Sequence, residues 1–145
     1  MHAEFQWGTP PECPQSLPLF LLEEKEVQNL AASVSYGQDI ASAGAFSCGI
    51  LAEFEEPIRH FGAHWYRRLF WETGMIGQVL YFEAEAKGIQ DKGIGCFLDN
   101  PVHDVFGLTG HTFQSLYHFT LGRSVEDNRF STLPSYHHLA SSSIL

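Results

Sequence analysis

RRLFWETGMIGQVLYFEAEAKGIQDKGIGCFLDNPVHDVFGL, the stretch from Arg67 to Leu108, decides the fold of this chain. Its first part is apolar on nearly every side, which predicts a long helix over 63–87 that is buried on most sides, either by its own domain or by a partner subunit. Glycine is favoured at the position that follows a helix, which fits Gly88, and a basic residue is favoured in the last turn, which fits Lys87. The helix is therefore expected to end at Lys87.

A short strand and a second helix are expected after this long helix. The strand is predicted over Gly93–Leu98. Asp99 or Asn100 then suits the N-cap of a helix that has Pro101 at its first position. Gly107 closes that helix.

Further segments with strand or helix patterns lie on both sides of this stretch. Leu17–Leu22 is a short apolar run, and 23–35 carries apolar residues at helical spacing. Ala45–Phe54 suits a buried strand, and Phe113–Leu121 alternates as a strand does. Together with the strand over 93–98, they predict an α+β fold in which a small, mainly antiparallel sheet packs against the long helix.

The composition excludes several classes of partner. The chain has 145 residues, with 8 Lys and Arg against 17 Asp and Glu, which gives a net charge of −9. Such a charge repels nucleic acid and anionic membrane surfaces, so neither is an expected partner. The 3 cysteines form no Cys-x-x-Cys pair, and neither a disulfide framework nor a zinc ribbon is suggested.

One domain with irregular ends is the expected organisation. Residues 1–16 contain several prolines and predict an irregular lead-in, 17–138 form the domain, and 139–145 a flexible tail. The apolar run at Leu17–Leu22 is too short to span a bilayer and lacks a basic flank, so no signal peptide or anchor is recognised. Reduced thiols and the missing signal favour a cytoplasmic location.

Histidine and cysteine give weak indications of chemistry. His60 and His64 have the spacing that places two imidazoles on one helical face, but no third ligand accompanies them. No metal site is therefore expected. Cys96 is better explained as a small buried hydrophobe than as a nucleophile, because the sequence places no base beside it.

The glycine pair in Gly93-Ile94-Gly95 is more informative. Paired glycines at a strand edge let the backbone approach a flat ligand and leave N–H groups free to point at it. Alone, the pair is a weak signal, and it is better explained as the glycines of a turn and a strand than as a ligand site. It is not the dinucleotide-binding fingerprint, because the pattern Gly-x-Gly-x-x-Gly is not completed.

The order of these elements resembles the carboxyl-terminal half of the nitroreductase superfamily, whose members bind FMN between two subunits. Within it, the chain is most similar to the azoline-oxidising, SagB-type branch, whose interface helix resembles Glu72, Gly77, Gln78 and Tyr81 here. The resemblance implies that Ile94, Gly95 and Cys96 border the reactive edge of the flavin. The amino-terminal half of such enzymes, with its FMN-binding arginines, would precede Met1, so the resemblance implies a half-length member, a truncated reading frame or one piece of a longer enzyme.

The resemblance continues into the last segment. Ser124-Val125-Glu126-Asp127 and Leu133-Pro134-Ser135-Tyr136-His137 are similar to the family's region around the FMN phosphate. Ser135 and His137 occupy the places where classical members carry Lys and Arg. Serine and neutral histidine cannot replace permanent cations at a dianionic phosphate. Arg123 or Arg129 is the remaining candidate for that contact.

Three functions remain open at this point. The resemblance implies an FMN-dependent oxidoreductase that transfers hydride in alternating half-reactions, as a homodimer, with a nicotinamide cofactor or a peptide as substrate. The alternative is a non-catalytic dimerisation or scaffold subunit without flavin, which the missing arginines and the residues Ser135 and His137 favour. A metal-dependent hydrolase rests only on the number of histidines and is the weakest of the three.

Overall fold

The computed structural model describes residues 5, 7–124 and 128–140. Its helices and strands confirm an α+β chain in which one helix is much longer than the others. In chain order they are α1 (Gln28–Val34), α2 (Asp39–Ala43), β1 (Phe46–Glu53), α3 (Glu55–Phe61), α4 (Trp65–Lys87), β2 (Gln90–Ile94), α5 (Asp99–Phe106), β3 (Phe113–Gly122) and α6 (His137–Ala140).

The three strands form one antiparallel sheet with β3 at its centre, in the order β1-β3-β2. In β1, Phe46 pairs with Leu121 of β3. On the other side, Ile94 of β2 pairs with His118. The residues of β3 are the most buried of the sheet, because this strand has a neighbour on each side. Both β1 and β2 are edge strands.

A β-bulge interrupts the pairing of β1 with β3. Ile50 pairs with Tyr117, but the next residue, Leu51, pairs with Ser115, which leaves Leu116 as the extra residue of β3. A bulge turns the residues beyond it to the opposite face of the sheet. Ser115 and His118, three positions apart, therefore lie on the same face.

Helices cover both faces of the sheet. Helix α4 packs on one face through Leu69, Thr73, Gly77 and Ala84, and a small core of Ala84, Phe119 and Leu121 lies beneath it. On the other face, Thr120 donates a hydrogen bond to Ile40 O of α2 at 3.1 Å. Helix α5 lies on this face too, and its Val102 is buried.

The glycines that end helices are where the sequence predicts them, but Pro101 lies at another helical position than expected. Gly88 and Gly107 adopt the left-handed conformation after α4 and α5, as predicted. Pro101 is the third residue of α5, since that helix begins at Asp99 after Leu98. Pro57 is likewise the third residue of its helix, α3. Proline is tolerated in a first helical turn because those N–H groups have no partner within the helix.

Two predicted strands differ from the structure. Leu17–Leu22 forms only an isolated bridge between Gly8 and Leu21, because Pro18 removes a ladder donor and the leucines are half exposed. The strand predicted over 93–98 is the earlier β2, which ends at Ile94. Helices α2, α3 and α6 were not expected. Val125 to Asp127 and residues 141–145 of the predicted tail lie outside the described residues, as do 1–4 and 6 of the lead-in.

Candidate functional site

A cleft opens where β2 ends, at Gly95. Its volume is about 410 Å³, within the range of small-molecule sites. Helix α4 and Phe54, the residue before α3, supply one wall, and the loop after β2 together with the start of β3 supplies the other. The lining residues are Phe54, Tyr66, Phe70, Gly95, Phe97, Asp99, Gln114, Ser115 and Leu116.

Aromatic rings dominate one wall of this cleft. Tyr66 meets Phe54 edge to face, with ring centroids 5.9 Å apart, and meets Phe70 in the same way at 5.0 Å. Edge-to-face packing fixes each ring relative to its neighbours. The opposite end is polar, where Gln114 Nε2 donates to Asp99 Oδ1 at 2.7 Å. The cleft therefore suits a flat ligand that stacks on the aromatic wall and forms hydrogen bonds with the polar end.

Gly95 presents bare backbone to the cleft. A Cβ built on it would have no atom within 4 Å. Within β2, residues that bond to β3 alternate with residues whose N–H points outward, and Gly93 is one of the outward residues because its N–H donates to Tyr81 Oη. Since Ile94 pairs with His118, the N–H groups of Gly93 and Gly95 point away from the sheet. Among the described residues, none accepts a hydrogen bond from Gly95 N–H.

The second glycine of the pair has a structural role. Gly93 N–H donates to Tyr81 Oη at 3.0 Å. A Cβ on Gly93 would lie 1.8 Å from Tyr117 Oη, so the tyrosine occupies the space that a side chain would need. Only Gly95 of the pair is thus open to a ligand. The sequence alone did not distinguish the two.

The loop that carries Gly95 is tied to the layer on the other face of the sheet. Gln38 Nε2 donates to Cys96 O at 3.0 Å, and Leu98 N–H donates to Val34 O at 2.8 Å. The Cys96 thiol is exposed, which contradicts its expected role as a buried hydrophobe. Ile94 is 3% exposed and pairs with His118, so its side chain is part of the interior.

A second groove of about 240 Å³ continues from the cleft along α4 and shares Phe70 and Leu116 with it. Three residues of the predicted interface-helix motif line it, namely Gly77, Gln78 and Tyr81. A Cβ on Gly77 would lie 3.1 Å from the Tyr117 ring, so this glycine lets β3 approach the helix closely. The fourth residue, Glu72, does not line this groove.

A buried polar cluster adjoins the cleft. Ser115 Oγ lies 3.0 Å from His118 Nε2, and Ser115 N–H donates to His103 Nε2 at 3.3 Å. The His118 ring stacks on Phe97, with centroids 4.1 Å apart and planes 4° from parallel. Burial lowers the pKa of His118, and the Asp99 carboxylate opposes this with a smaller effect. The sequence gives no sign of this cluster, because it depends on the bulge at Leu116.

The two candidate arginines are not part of the cleft lining. Arg123 is exposed and lines a separate cavity of about 300 Å³ together with Lys92. It follows Gly122, the partner of Gln90 at the far end of β2, which is roughly 17 Å from Gly95 at about 3.4 Å per residue. Arg129 is exposed in a turn. The structure thus brings together Ile94, Gly95 and Cys96 and keeps Arg123 apart from them.

Metal sites and membrane-spanning helices are both absent from residues 5, 7–124 and 128–140. No group of three or more His, Cys, Asp or Glu side chains in this part is placed to hold a metal ion. No helix there has the length and hydropathy needed to cross a membrane.

Comparisons with solved structures identify the fold. A protein from Anabaena variabilis assigned as a nitroreductase superimposes with a TM-score of 0.64 at 27% identity, over 70% of this chain and 20% of its own. NfrA1 from B. megaterium gives 0.55 at 17%, over 79% of this chain and 52% of its own. A protein from Bacteroides fragilis assigned as an oxidoreductase gives 0.55 at 14%, over 77% and 50%.

The chain therefore has a nitroreductase-like fold. It spans about half the length of two of these proteins and a fifth of the third. No family model matches the sequence, and no curated protein matches it either.

Proposed function

We propose that this chain is an FMN-dependent oxidoreductase of the nitroreductase type, and that the cleft at Gly95 receives the flavin ring. The open backbone of Gly95 beside a wall of aromatic rings is the observation that carries this proposal. Backbone N–H groups without internal partners suit a ring that bears hydrogen-bond acceptors along one edge. The nitroreductase-like fold supports the same assignment.

The residues of the cleft fit the ring better than the phosphate. Phe54, Tyr66 and Phe70 offer flat apolar surface, and the backbone of Gly95 and Cys96 offers donors. No Lys or Arg lines the cleft within the described residues. We assign the phosphate to Arg123 or Arg129, either in the same chain or from a second copy. Arginine suits this role because its fork of donors binds two phosphate oxygens at once.

When bound, FMN would supply the hydride chemistry, in alternating half-reactions with a nicotinamide or a peptide substrate. The chain's own residues would orient the ring and exclude water. Gly95 and Cys96 would donate backbone hydrogen bonds, and Gln38 would hold that loop through Cys96 O. Gln78 and Tyr81 line the adjoining groove. We assign the substrate to this groove, because the resemblance to the SagB-type branch implies a peptide substrate.

A homodimer completes the proposal. The chain exposes 11548 Å², whereas a compact monomer of 16.3 kDa exposes about 7,500 Å². Many large apolar side chains are among the exposed ones. On α4, the side opposite the sheet carries four large side chains that are 57% to 67% exposed, namely Trp71, Met75, Val79 and Phe82. An apolar patch of this kind marks an association surface, and we assign it to a second copy.

The first test is flavin uptake. The purified chain is expected to bind FMN, to turn yellow and to release FMN on denaturation. Gly95→Val should abolish this uptake without unfolding the chain, because the added side chain would enter the cleft. Thr109→Val is the control at an exposed position outside both the cleft and the cavity of Arg123, and it should leave FMN affinity unchanged. Equal affinities of both variants and the unaltered chain would remove Gly95 from the site.

The second test concerns the phosphate. If an arginine binds it, Arg123→Ala or Arg129→Ala should weaken binding of FMN but not of riboflavin, which lacks the phosphate. Calorimetric titration with both ligands separates this effect from a general loss of binding. Equal losses for both ligands would place the arginine at the ring or in the fold instead.

The alternative is a scaffold subunit without flavin. The exposed apolar side of α4 and the lack of cations in the cleft favour it. Protein that stays colourless with added FMN and yet sediments as a dimer would establish this alternative.

A further inference from the structure

The cleft at Gly95 is connected through the sheet to a second cavity. This cavity, of about 390 Å³, lies on the face of the sheet opposite α4, between α1, α2, β1 and α5, and the cleft reaches this face beyond the end of β2, where Phe97 and Ser115 line it. Ser115 lines the cleft, and His118 lines the second cavity. The two side chains are joined by the 3.0 Å contact between Ser115 Oγ and His118 Nε2.

We propose that Ser115 and His118 form a proton relay that delivers protons from the second cavity to an acceptor in the cleft. The proposal rests on the oxidoreductase function above, since reduction by hydride requires a proton as well. The relay itself moves one proton and no electrons. Its parts are two side chains, and its proton source is solvent at the second cavity, whose lining includes the exposed Lys25.

The β-bulge makes this connection. In a regular strand, residues 115 and 118 would point to opposite faces of the sheet. The extra residue Leu116 places Ser115 on the same face as His118, while Leu116 itself lines the cleft. Bulges commonly redirect a side chain next to a functional site.

The imidazole is held in one orientation. Its face stacks on Phe97, which also lines the cleft. On the other strand, a Cβ on Gly49 would lie 3.2 Å from Nε2, so no side chain larger than glycine fits there without a shift. Ser115 N–H is bound by His103, which fixes the backbone of the serine. Both partners are at most 5% exposed, so their contact is protected from competing water.

The direction of transfer follows from the protonation of the ring. With the proton on Nε2, His118 donates to Ser115 Oγ and leaves the serine hydroxyl hydrogen free to turn to the cleft. Ser115 then gives its proton to the acceptor and regains one from Nε2, while Nδ1 takes a proton from water in the second cavity and leaves hydroxide to the solvent. The ring recovers its Nε2–H form by proton exchange with water before the next transfer. A ring that is neutral at physiological pH suits this exchange, and burial favours the neutral form of His118.

The resting state of the relay can be tested without any cofactor. In the free chain, ¹⁵N NMR should find the proton of His118 on Nε2. A proton on Nδ1 would make Nε2 the acceptor for the serine hydroxyl, which is an arrangement for taking a proton from the cleft. That result would overturn the proposed direction.

The working relay is tested with two electron acceptors. In the chain loaded with FMN and reduced with dithionite, reoxidation by a nitroaromatic compound consumes protons, whereas reoxidation by ferricyanide consumes only electrons. Ser115→Ala should slow the nitroaromatic reaction by roughly 100-fold, as is usual for loss of a general acid, and remove its solvent deuterium isotope effect. The ferricyanide reaction should not change. A merely structural role would slow both reactions alike.

Three variants complete the experiment. Ser115→Thr keeps the hydroxyl and should restore the isotope effect. Thr120→Val removes another buried hydroxyl from the same face of β3 and should leave the effect intact. If Ser115→Ala does not fold, His118→Gln serves instead, because glutamine can donate to Ser115 but cannot exchange a proton.

The outcomes separate the two proposals. Flavin binding with unchanged nitroaromatic kinetics in Ser115→Ala overturns the relay and leaves the oxidoreductase standing. No flavin binding by the unaltered chain overturns both.

Discussion

At the scale of single residues, the two glycines of Gly93-Ile94-Gly95 have opposite roles. Gly93→Ala would force Tyr117 to move, because the new Cβ would lie 1.8 Å from its Oη and 2.6 Å from its Cζ. We expect a loss of about 1–3 kcal/mol in the free energy of unfolding, which is typical of overpacking. Gly95→Ala, with nothing within 4 Å, should cost none. Urea unfolding measures both variants.

A double variant checks the cause of the Gly93→Ala effect. Tyr117→Leu removes the whole ring, so the alanine should cost less in that background than in the unaltered chain. An equal cost in both backgrounds would locate the strain elsewhere. Tyr117→Phe is not a sufficient rescue, because Cζ would still be too close.

His118 should make stability depend on pH. Burial lowers its pKa in the folded chain below the ordinary 6.5, so the unfolded chain binds a proton first as pH falls. The stability present above pH 6.5 is therefore lost as pH falls through the lowered pKa. His118→Gln should flatten the dependence of Tm on pH in this window. Asp99 and His103 from α5, Cys48 from β1 and Lys25 face the same region and stay unchanged in the comparison.

A Tm profile of His118→Gln that still falls as steeply below pH 6.5 would assign the dependence to another group. His103→Gln is the matched control, since it removes an imidazole from the same cluster that accepts one backbone hydrogen bond.

At the scale of helices and strands, the sequence predicts best where one pattern runs long. The apolar run over 45–54, the alternation over 113–121 and the helical segment over 63–87 correspond closely to β1, β3 and α4. The predicted position of the short β2 was too late in the chain, because Gln90, Asp91 and Lys92 are polar and lie on an exposed edge strand. Edge strands with few apolar residues carry little periodic signal.

The candidate site was predictable only in part. The glycine pair marks the backbone beside the cleft, since only glycine leaves such an edge bare. The Ser115–His118 contact was not predictable, because a bulge is an irregularity of pairing between two strands far apart in sequence. The separate position of Arg123 was hidden for the same reason, since it depends on the register of β2 with β3.

The tether between Gln38 and the loop after β2 gives a prediction at this scale. Gln38→Ala would leave the carbonyls of Ser35 and Cys96 without their side-chain donor. The loop over 95–98 should open more readily by about 1 kcal/mol, the usual net value of a hydrogen bond. Faster amide hydrogen exchange confined to this loop would establish it. Gln90→Ala, at the other end of β2, is the control and should leave the loop's exchange unchanged.

At the scale of the whole molecule, the exposed apolar side of α4 is the largest feature that the single chain does not account for. Met75 and Val79 lie near its middle, so a carboxylate there would be buried without a partner charge if two copies associate. Met75→Glu should convert a dimer to a monomer in sedimentation at micromolar concentration. Gln90→Glu adds the same charge on an edge strand away from α4 and should leave the mass unchanged.

The net charge of −9 opposes the association of two copies. Two copies repel each other over the distance at which salt has not screened their fields, about 10 Å at 0.1 M ionic strength. If apolar side chains of α4 hold the dimer together, added salt weakens the repulsion between the copies and leaves the apolar attraction intact. The dissociation constant of the dimer should therefore fall as sodium chloride is raised from about 0.02 to about 0.2 M. Sedimentation equilibrium over this range measures it. A dimer that weakens with salt would instead be held by ion pairs, and the apolar side of α4 would need another occupant.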